Sequence, residues 1–310
     1  MINLLYCFDT NYNLQAFTSI FSFLNQSKQK IKINVIHKDS SNLDIFPKDI
    51  LNHENLSQLK IYKFDRKFTT FPNIDNAHVS EATYYRIFFD DYIENVKDLD
   101  TLIYIDSDMI CLENPFEEIN NFSNMLLNSE YIIAAKNEIF TDSEKEIIFS
   151  NLELTSNKYL NAGFLIIDVH KWINNNLPKE LSNKIIELKD KIVYWDQDVF
   201  NSYFDGSYLE LPESLNMNTD LDNNKELDEN SIILHYYGKT KPWNTRGILN
   251  KKSEYYQNNY RLLGLGPYHI THKRRVISMR QLTYGFMTFK IFFIYKPITF
   301  LKEFFISLFR

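Results

Sequence analysis

The chain has 310 residues, 44% of them hydrophobic, with 7 Gly and 8 Pro. That length can bury a large core, and so little glycine and proline excludes a linker-rich or low-complexity protein. Its formal net charge of −6 divides into +7 over residues 270–310 and −13 over residues 1–269, so the acidic body argues against nucleic-acid binding and the basic tail needs its own explanation.

Met1 to Phe8 lacks a basic n-region and a cleavage site and reads as a first strand, not a signal peptide. The strand spans Asn3 to Phe8, Asp9 to Tyr12 is a polar turn, and Leu14 to Leu24 has helical periodicity. Ile31 to His37 and Leu59 to Phe64 predict a second and a third strand. Thr83 to Tyr92 predicts a helix with an aromatic face, and Thr101 to Ile105 a buried strand ending in Asp106-Ser107-Asp108. Tyr131 to Ala135 and Phe164 to Ile167 are further strands, the second preceded by an Asn161-Ala162-Gly163 turn. Lys184 to Lys191 and Gln197 to Phe204 predict helices, Leu221 to Asn230 a polar loop, and Ser231 to Leu234 a short buried strand. Strand–helix–strand order with ligand-type residues at strand carboxyl ends predicts an open α/β sheet whose site lies at the strand tips. Glycine and proline cluster at Gly264 to Pro267, where the charge changes sign, which divides the chain into residues 1–266 and 267–310. Cys7 and Cys111 sit in apolar strand-like runs, which gives no disulfide framework and fits a reducing cytoplasm.

Asp-x-Asp occurs four times, so spacing alone decides nothing. Asp98/Asp100 precede a strand, where turns and caps place aspartates, and Asp220/Asp222 lie in a polar loop. Asp196/Asp198 open a helix, where acidic first-turn residues stabilise any protein. Asp106/Asp108 are flanked by apolar residues on both sides. Two carboxylates at the end of a buried strand repel and lose solvation unless a cation joins them. Hard divalent cations take such oxygens and bridge to phosphate.

His235-Tyr236-Tyr237-Gly238-Lys239-Thr240-Lys241-Pro242-Trp243 follows the last apolar run. A histidine can ligate a metal, a glycine lets backbone approach an anion, and a lysine neutralises phosphate. A packed turn anchored by Trp243 is the competing reading. A histidine joining Asp106 and Asp108 favours Mn²⁺ over Mg²⁺.

Six segments in order, within roughly residues 1–250, resemble the family-8 retaining glycosyltransferases, the group containing bacterial lipooligosaccharide galactosyl- and glucosyltransferases and glycogenin. They are Cys7 to Tyr12, Ser80 to Arg86, Leu102 to Asp108, Tyr159 to Phe164, Trp195 to Asn201 and His235 to Trp243. The resemblance implies a GT-A type, Rossmann-like mixed sheet flanked by helices. It also implies a UDP-sugar donor (UDP-glucose or UDP-galactose), Mn²⁺ dependence with Mg²⁺ as the other candidate, and transfer of the hexose to a glycan acceptor with retained configuration. Carried over by position, Asp9, Asn11 and Tyr12 would hold the nucleoside, with Tyr12 stacked on the base. Asp106, Asp108 and His235 would bind the metal, and Gly238 and Lys241 the diphosphate. Arg86, Asn161, Asp196 and Gln197 would surround the donor sugar.

Asp9-Thr10 stands where many members carry two acidic residues, which weakens the uridine expectation. Lys136 to Glu138 falls where acceptor contacts usually lie but matches no acceptor pattern, and His78 is a further acceptor candidate. A nucleotidyltransferase would need a glycine- and lysine-rich first loop, absent from Asp9 to Tyr12. A degenerate sugar- or nucleotide-binding module would have broken metal ligands, and all three are present. Beyond Pro267, Phe286 to Phe309 is rich in phenylalanine, interrupted by Lys290, Lys296 and Lys302 and broken at Pro297. No stretch there is both long and charge-free enough to span a bilayer. The tail reads as a basic amphipathic helical segment lying on an anionic membrane surface, which would make the protein cytoplasmic and peripheral at the inner face of the cell membrane. A terminal helix packed on the body is the alternative.

Overall fold

A computed structural model describes residues 1–66, 71, 81–222, 226–272, 274–294 and 296–309. His78, Ser80, Lys273 and Arg310, and residues 223–225 of the polar loop, lie outside them.

Among the described residues, ten strands form two sheets. They are β1 Asn3–Phe8, β2 Ile31–His37, β3 Leu56–Lys63, β4 Thr101–Ile105, β5 Met109–Cys111, β6 Ile133–Asn137, β7 Leu160–Asp168, β8 Leu209–Glu210, β9 Met217–Asn218 and β10 Ile233–His235. The large sheet has the order β3-β2-β1-β4-β7-β6-β8, and the small one β5-β10-β9. β3, β2, β1 and β4 run parallel, while β7 is antiparallel to both of its neighbours. The sheet is therefore mixed and flanked by helices, the architecture that the resemblance implies.

Both faces of the large sheet are covered, so its central strands are apolar throughout instead of alternating. Leu5 and Cys7 of β1 point into one core with Trp172, Leu181, Val199 and Phe200 of the helices Val169–Asn174, Leu177–Glu187 and Trp195–Phe204. Leu4, Tyr6 and Phe8 point into the other, against the helices Asn13–Gln26 and Phe116–Leu127. The helix Asn13–Gln26 is buried without interruption from Gln15 to Leu24, because the large sheet and β5 both pack on it. Its small polar residues are paired: Ser19 with the Tyr6 hydroxyl at 3.1 Å, and Ser22 Oγ accepting from the Cys111 amide at 3.0 Å.

Three expectations need correction. Asn161-Ala162-Gly163 is no turn but lies inside β7, opposite a register irregularity at Ala135/Lys136. The segment Thr83 to Tyr92 is a 3-10 helix, Glu81–Phe88, followed by one α turn, Phe89–Tyr92. The helix expected at Lys184 to Lys191 is Leu177–Glu187, opened by Pro178 in its first turn.

A third core joins the small sheet to the C-terminal segment through Trp243, Tyr256, Tyr260, Tyr268, Phe300 and Phe304. The Thr271 amide donates to Trp243 O at 2.8 Å, the Tyr268 hydroxyl to Pro242 O at 2.9 Å, and Arg261 pairs with buried Glu303 at 2.8 Å. The helices Arg275–Met287 and Pro297–Leu308 thus rest on the body by one side. These helices and the 3-10 turn Lys290–Phe293 between them, capped by Phe289, leave Val276, Met287, Phe289, Phe292, Ile298 and Phe309 exposed, as are Arg274, Arg275, Arg280 and Lys302. No helix among the described residues is long and apolar enough to cross a membrane.

Candidate active site at the junction of the two sheets

Asp106-Ser107-Asp108 connects β4 of the large sheet to β5 of the small one. Antiparallel pairing of β5 with β10 sets Met109 opposite His235, and the Tyr236 amide donates to Asp108 O at 3.1 Å. Backbone pairing alone therefore brings His235, 127 residues beyond Asp108 in sequence, beside two carboxylates. One ligand atom from each of Asp106, Asp108 and His235 lies within 4.8 Å of the others. His235 Nε2 is 3.4 Å from Asp108 Oδ1 and 4.0 Å from Asp106 Oδ2. Two carboxylate oxygens and one imidazole nitrogen form a donor set for a divalent cation of the Mg²⁺ or Mn²⁺ kind.

The two carboxylates are held unequally. The Tyr104 hydroxyl donates to Asp106 Oδ1 at 2.5 Å, and Arg86 Nη1 stands 3.6 Å from the same oxygen. Burial, reinforced by the charge of Asp108, keeps the Asp106 carboxyl above the usual range despite Arg86. Burial also pushes Asp108 up, but Lys241 and His235 outweigh it and hold that carboxyl well below the usual range. Lys241 Nζ donates to Asp108 Oδ2 and to Tyr236 O, both at 2.6 Å.

Gly163 forms the floor. Its carbonyl accepts from the Asp106 amide at 2.8 Å. A methyl group there would overlap His235 Cε1 and stand 3.0 Å from both Asn161 Oδ1 and Asp106 Oδ2. Close approach of the strand to the acidic pair, not turn geometry, is what requires glycine here.

The sugar-side candidates gather along the same stretch of β7. Arg86 is buried, donates through Nη1 to Ala162 O and through Nε to Thr83 O at 3.0 Å, and pairs with buried Asp196 at 2.5 Å. Its guanidinium lies 4.1 Å above the Tyr104 ring. The Ala162 amide donates to Gln197 Oε1 at 3.0 Å, so Arg86 and Gln197 bracket one residue of β7. Asp198 takes a different part. Its carboxylate accepts from the Tyr159 hydroxyl at 2.5 Å and from the Val193 and Tyr194 amides at 2.6 and 2.7 Å. Those bonds clamp the chain where Trp195 adopts a left-handed φ of 49°, a conformation that costs a non-glycine residue about 1–2 kcal/mol. Neither aspartate acts as the N-cap, which is Tyr194 and makes no side-chain cap bond.

At the end of β1, buried Asp9 caps the 3-10 turn Thr10–Tyr12 by accepting from the Asn11 amide at 2.9 Å. Asn11 is exposed, and half-buried Tyr12 meets Trp243 edge to face with ring centres 6.4 Å apart. Trp243 is itself core, as the packed-turn reading of its segment has it. Gly238 stands exposed in a left-handed conformation, φ 81°, with open space around it. Exposed Asp222 fixes this segment from outside: Thr240 Oγ1 donates to it and Arg246 pairs with it at 2.7 Å.

Asn216 and Asn218 escape sequence reading, and Glu138 closes the segment expected on the acceptor side. Buried Asn216 Oδ1 lies 3.0 Å from His235 Nδ1. Glu138 accepts from Asn161 Nδ2, and from Asn218 Nδ2 at 2.8 Å. A cavity of about 190 Å³ adjoins Glu138, lined also by Asn137, Phe140, Lys145 and Phe149. The one local signal was Leu215-Asn216-Met217-Asn218, asparagines alternating with apolar residues.

The family model described as "Glycosyl transferase family 8" matches residues 3–247. Among curated proteins, the chain is 26% identical over 256 residues to a lipopolysaccharide 1,3-galactosyltransferase of Salmonella typhimurium (79% of this chain, 74% of that protein). It is 28% identical over 180 residues to a lipopolysaccharide 1,2-glucosyltransferase of Escherichia coli (54% and 51%). Among solved structures, the galactosyltransferase LgtC in complex with donor and acceptor sugar analogues superposes with a TM-score of 0.72 at 20% identity, covering 86% of this chain and 98% of that one. The glycosyltransferase GlyE of Streptococcus pneumoniae gives a TM-score of 0.57 at 18% identity (85% and 63%), again a likeness of fold.

Proposed function

The chain belongs to glycosyltransferase family 8, and from that premise we propose that it moves a hexose, glucose or galactose, from a UDP-sugar to a glycan acceptor with retention of configuration and dependence on Mn²⁺. The observation that carries this reading is the convergence of Asp106, Asp108 and His235 beside Lys241. The acceptor class is a cell-surface, lipid-linked or protein-linked glycan. The names of the relatives, lipopolysaccharide galactosyl- and glucosyltransferases, favour the first two.

In this proposal Asp106, Asp108 and His235 hold the cation, which supplies Lewis-acid neutralisation of charge on the leaving diphosphate. Lys241 leaves Asp108 for the diphosphate and adds a fixed positive charge where negative charge develops. Gly238, open above its backbone, lets the diphosphate approach the main chain. Asp9, Asn11 and Tyr12 hold the nucleoside, and Arg86, Asn161, Asp196 and Gln197 surround the sugar. Retention requires a nucleophile on the sugar or front-side attack by the acceptor. Asp196 is committed to Arg86 and Asp198 to Tyr159 and two amides. Gln197 offers only an amide, a poor nucleophile, so front-side attack is preferred. A covalent sugar adduct trapped on Asp196 or Asp198 would overturn that preference. The cavity beside Glu138 is the proposed acceptor position.

The exposed phenylalanines and basic residues of the C-terminal helices are proposed to rest on an anionic membrane surface, so that a cytoplasmic enzyme works at the inner face of the cell membrane. Replacing Phe289, Phe292 and Phe309 together by serine should release the protein from phosphatidylglycerol vesicles without unfolding it. Unchanged vesicle binding would remove the membrane role. For transfer itself, the test is a screen of UDP-sugars for Mn²⁺-dependent release of UDP. If none is turned over, the proposal fails.

A further inference from the structure

His235 reaches the acidic pair through Nε2, and what faces its other nitrogen is fully buried Asn216 at the end of the 3-10 turn Glu213–Asn216. The direction of every bond in this chain of contacts can be read off. The Gly163 amide can only donate, and it meets Asn161 Oδ1 at 2.9 Å. That same oxygen lies 2.9 Å from Asn216, so Asn216 presents its NH₂ group to Asn161. The other end of the Asn216 amide, 3.0 Å from His235 Nδ1, is then its carbonyl oxygen, which can only accept. His235 therefore carries a proton on Nδ1, which leaves Nε2, the nitrogen that faces Asp106 and Asp108, as the one to ligate a cation.

We infer that Asn216 is a positioning residue for the transfer reaction: it sets the tautomer and ring orientation of His235 for cation binding, and it ties that ring to Asn161 on the sugar side. The inference rests on the metal-dependent reading above. Asn216 touches neither donor nor acceptor in that reading and acts only through His235 and Asn161.

Two substitutions separate the arms. In Asn216→Asp the carboxylate still accepts from His235 Nδ1 but no longer donates to Asn161. In Asn216→Leu, close in size, both bonds are lost. The probe is Mn²⁺ in the presence of UDP, followed by electron paramagnetic resonance, with the ¹⁴N modulation of a ligated imidazole as the spectroscopic signature and thermal unfolding as the check on fold. Asn216→Leu is expected to weaken Mn²⁺ binding about 10–100-fold and to lose the nitrogen signature. Asn216→Asp is expected to keep the signature and stay within about threefold of wild type in affinity. Mn²⁺ binding by Asn216→Leu within twofold of wild type would overturn the inference. So would equal damage from both substitutions, the result of a merely structural role. These measurements involve no sugar. A failure of every UDP-sugar to turn over, with the Mn²⁺ results intact, would sink the transfer reading and leave this one standing.

Discussion

Gly163→Ala isolates the site from the rest of the fold. The added methyl group would overlap His235 Cε1 and crowd Asn161 Oδ1 and Asp106 Oδ2 at 3.0 Å. Non-bonded carbons settle at about 3.5–4.0 Å, so relief requires the imidazole to move by about 1 Å. Retreat of the strand is opposed by its pairing with β4 up to Phe164 and by the Asp106 amide bonded to Gly163 O. The ring is tethered in turn by Asn216. Overpacking of this kind costs about 1–3 kcal/mol, a fall in Tm of several degrees for a chain of this size. Ligand distances in a metal site tolerate only about 0.2 Å, so the larger effect falls on the cation. Mn²⁺ affinity in the presence of UDP, read by electron paramagnetic resonance, should drop at least about tenfold in a protein that still melts cooperatively. Gly266→Ala is the contrast, with nothing near its added methyl group and only the cost of its left-handed φ. If Gly163→Ala bound Mn²⁺ as well as wild type, the assignment of this floor to the cation site would be refuted.

Arg86→Met should destabilise by about 3–5 kcal/mol in urea unfolding, because Asp196 stays buried without its cation. Adding Asp196→Leu should recover much of that stability and none of the activity. Lys241→Gln removes the ammonium that sits on Asp108. It should tighten binding of Mn²⁺ alone, by roughly tenfold, while weakening binding of UDP in a calorimetric titration. Half-buried His269, stacked on Tyr260, is pushed down to about 3 by desolvation of its ring, from 6.5. The unfolded chain gains the proton first as pH falls below 6.5, so its contribution is lost toward pH 3 at up to about 1.4 kcal/mol per pH unit. His269→Phe should flatten that part of the stability profile, and an unchanged slope would refute the assignment.

The strands β1, β2 and β4 were legible to the residue, β1 and β4 as apolar runs buried on both faces and β2 by the alternation of Ile31, Ile33 and Val35 with Lys32 and Asn34. The third strand starts at Leu56, three residues earlier than read, because its exposed Ser57 and Gln58 lie on an edge strand and carry no hydrophobic signal. The helix Asp142–Leu152 is hard to see by periodicity, since its stretch has little apolar pattern, and its sequence signal is the capping box of Thr141 and Glu144. Asp106 and Asp108 could be chosen among four pairs because their apolar flanks imply burial. Asn216 could not, since its part depends on a 3-10 turn meeting the tip of β10, a contact that no local pattern encodes. Gly163 was noticed for its motif and misread for its geometry, because a glycine needed for close approach looks in sequence like one needed for a turn.

The central claim is nucleotide-sugar chemistry at Asp106, Asp108 and His235. It is tested most directly by UDP release from UDP-glucose and UDP-galactose with and without Mn²⁺, comparing wild type with His235→Ala. The account predicts Mn²⁺-dependent release by wild type and a loss of at least about 100-fold in His235→Ala at unchanged fold. Release that persisted in the variant, or that ignored Mn²⁺, would contradict it.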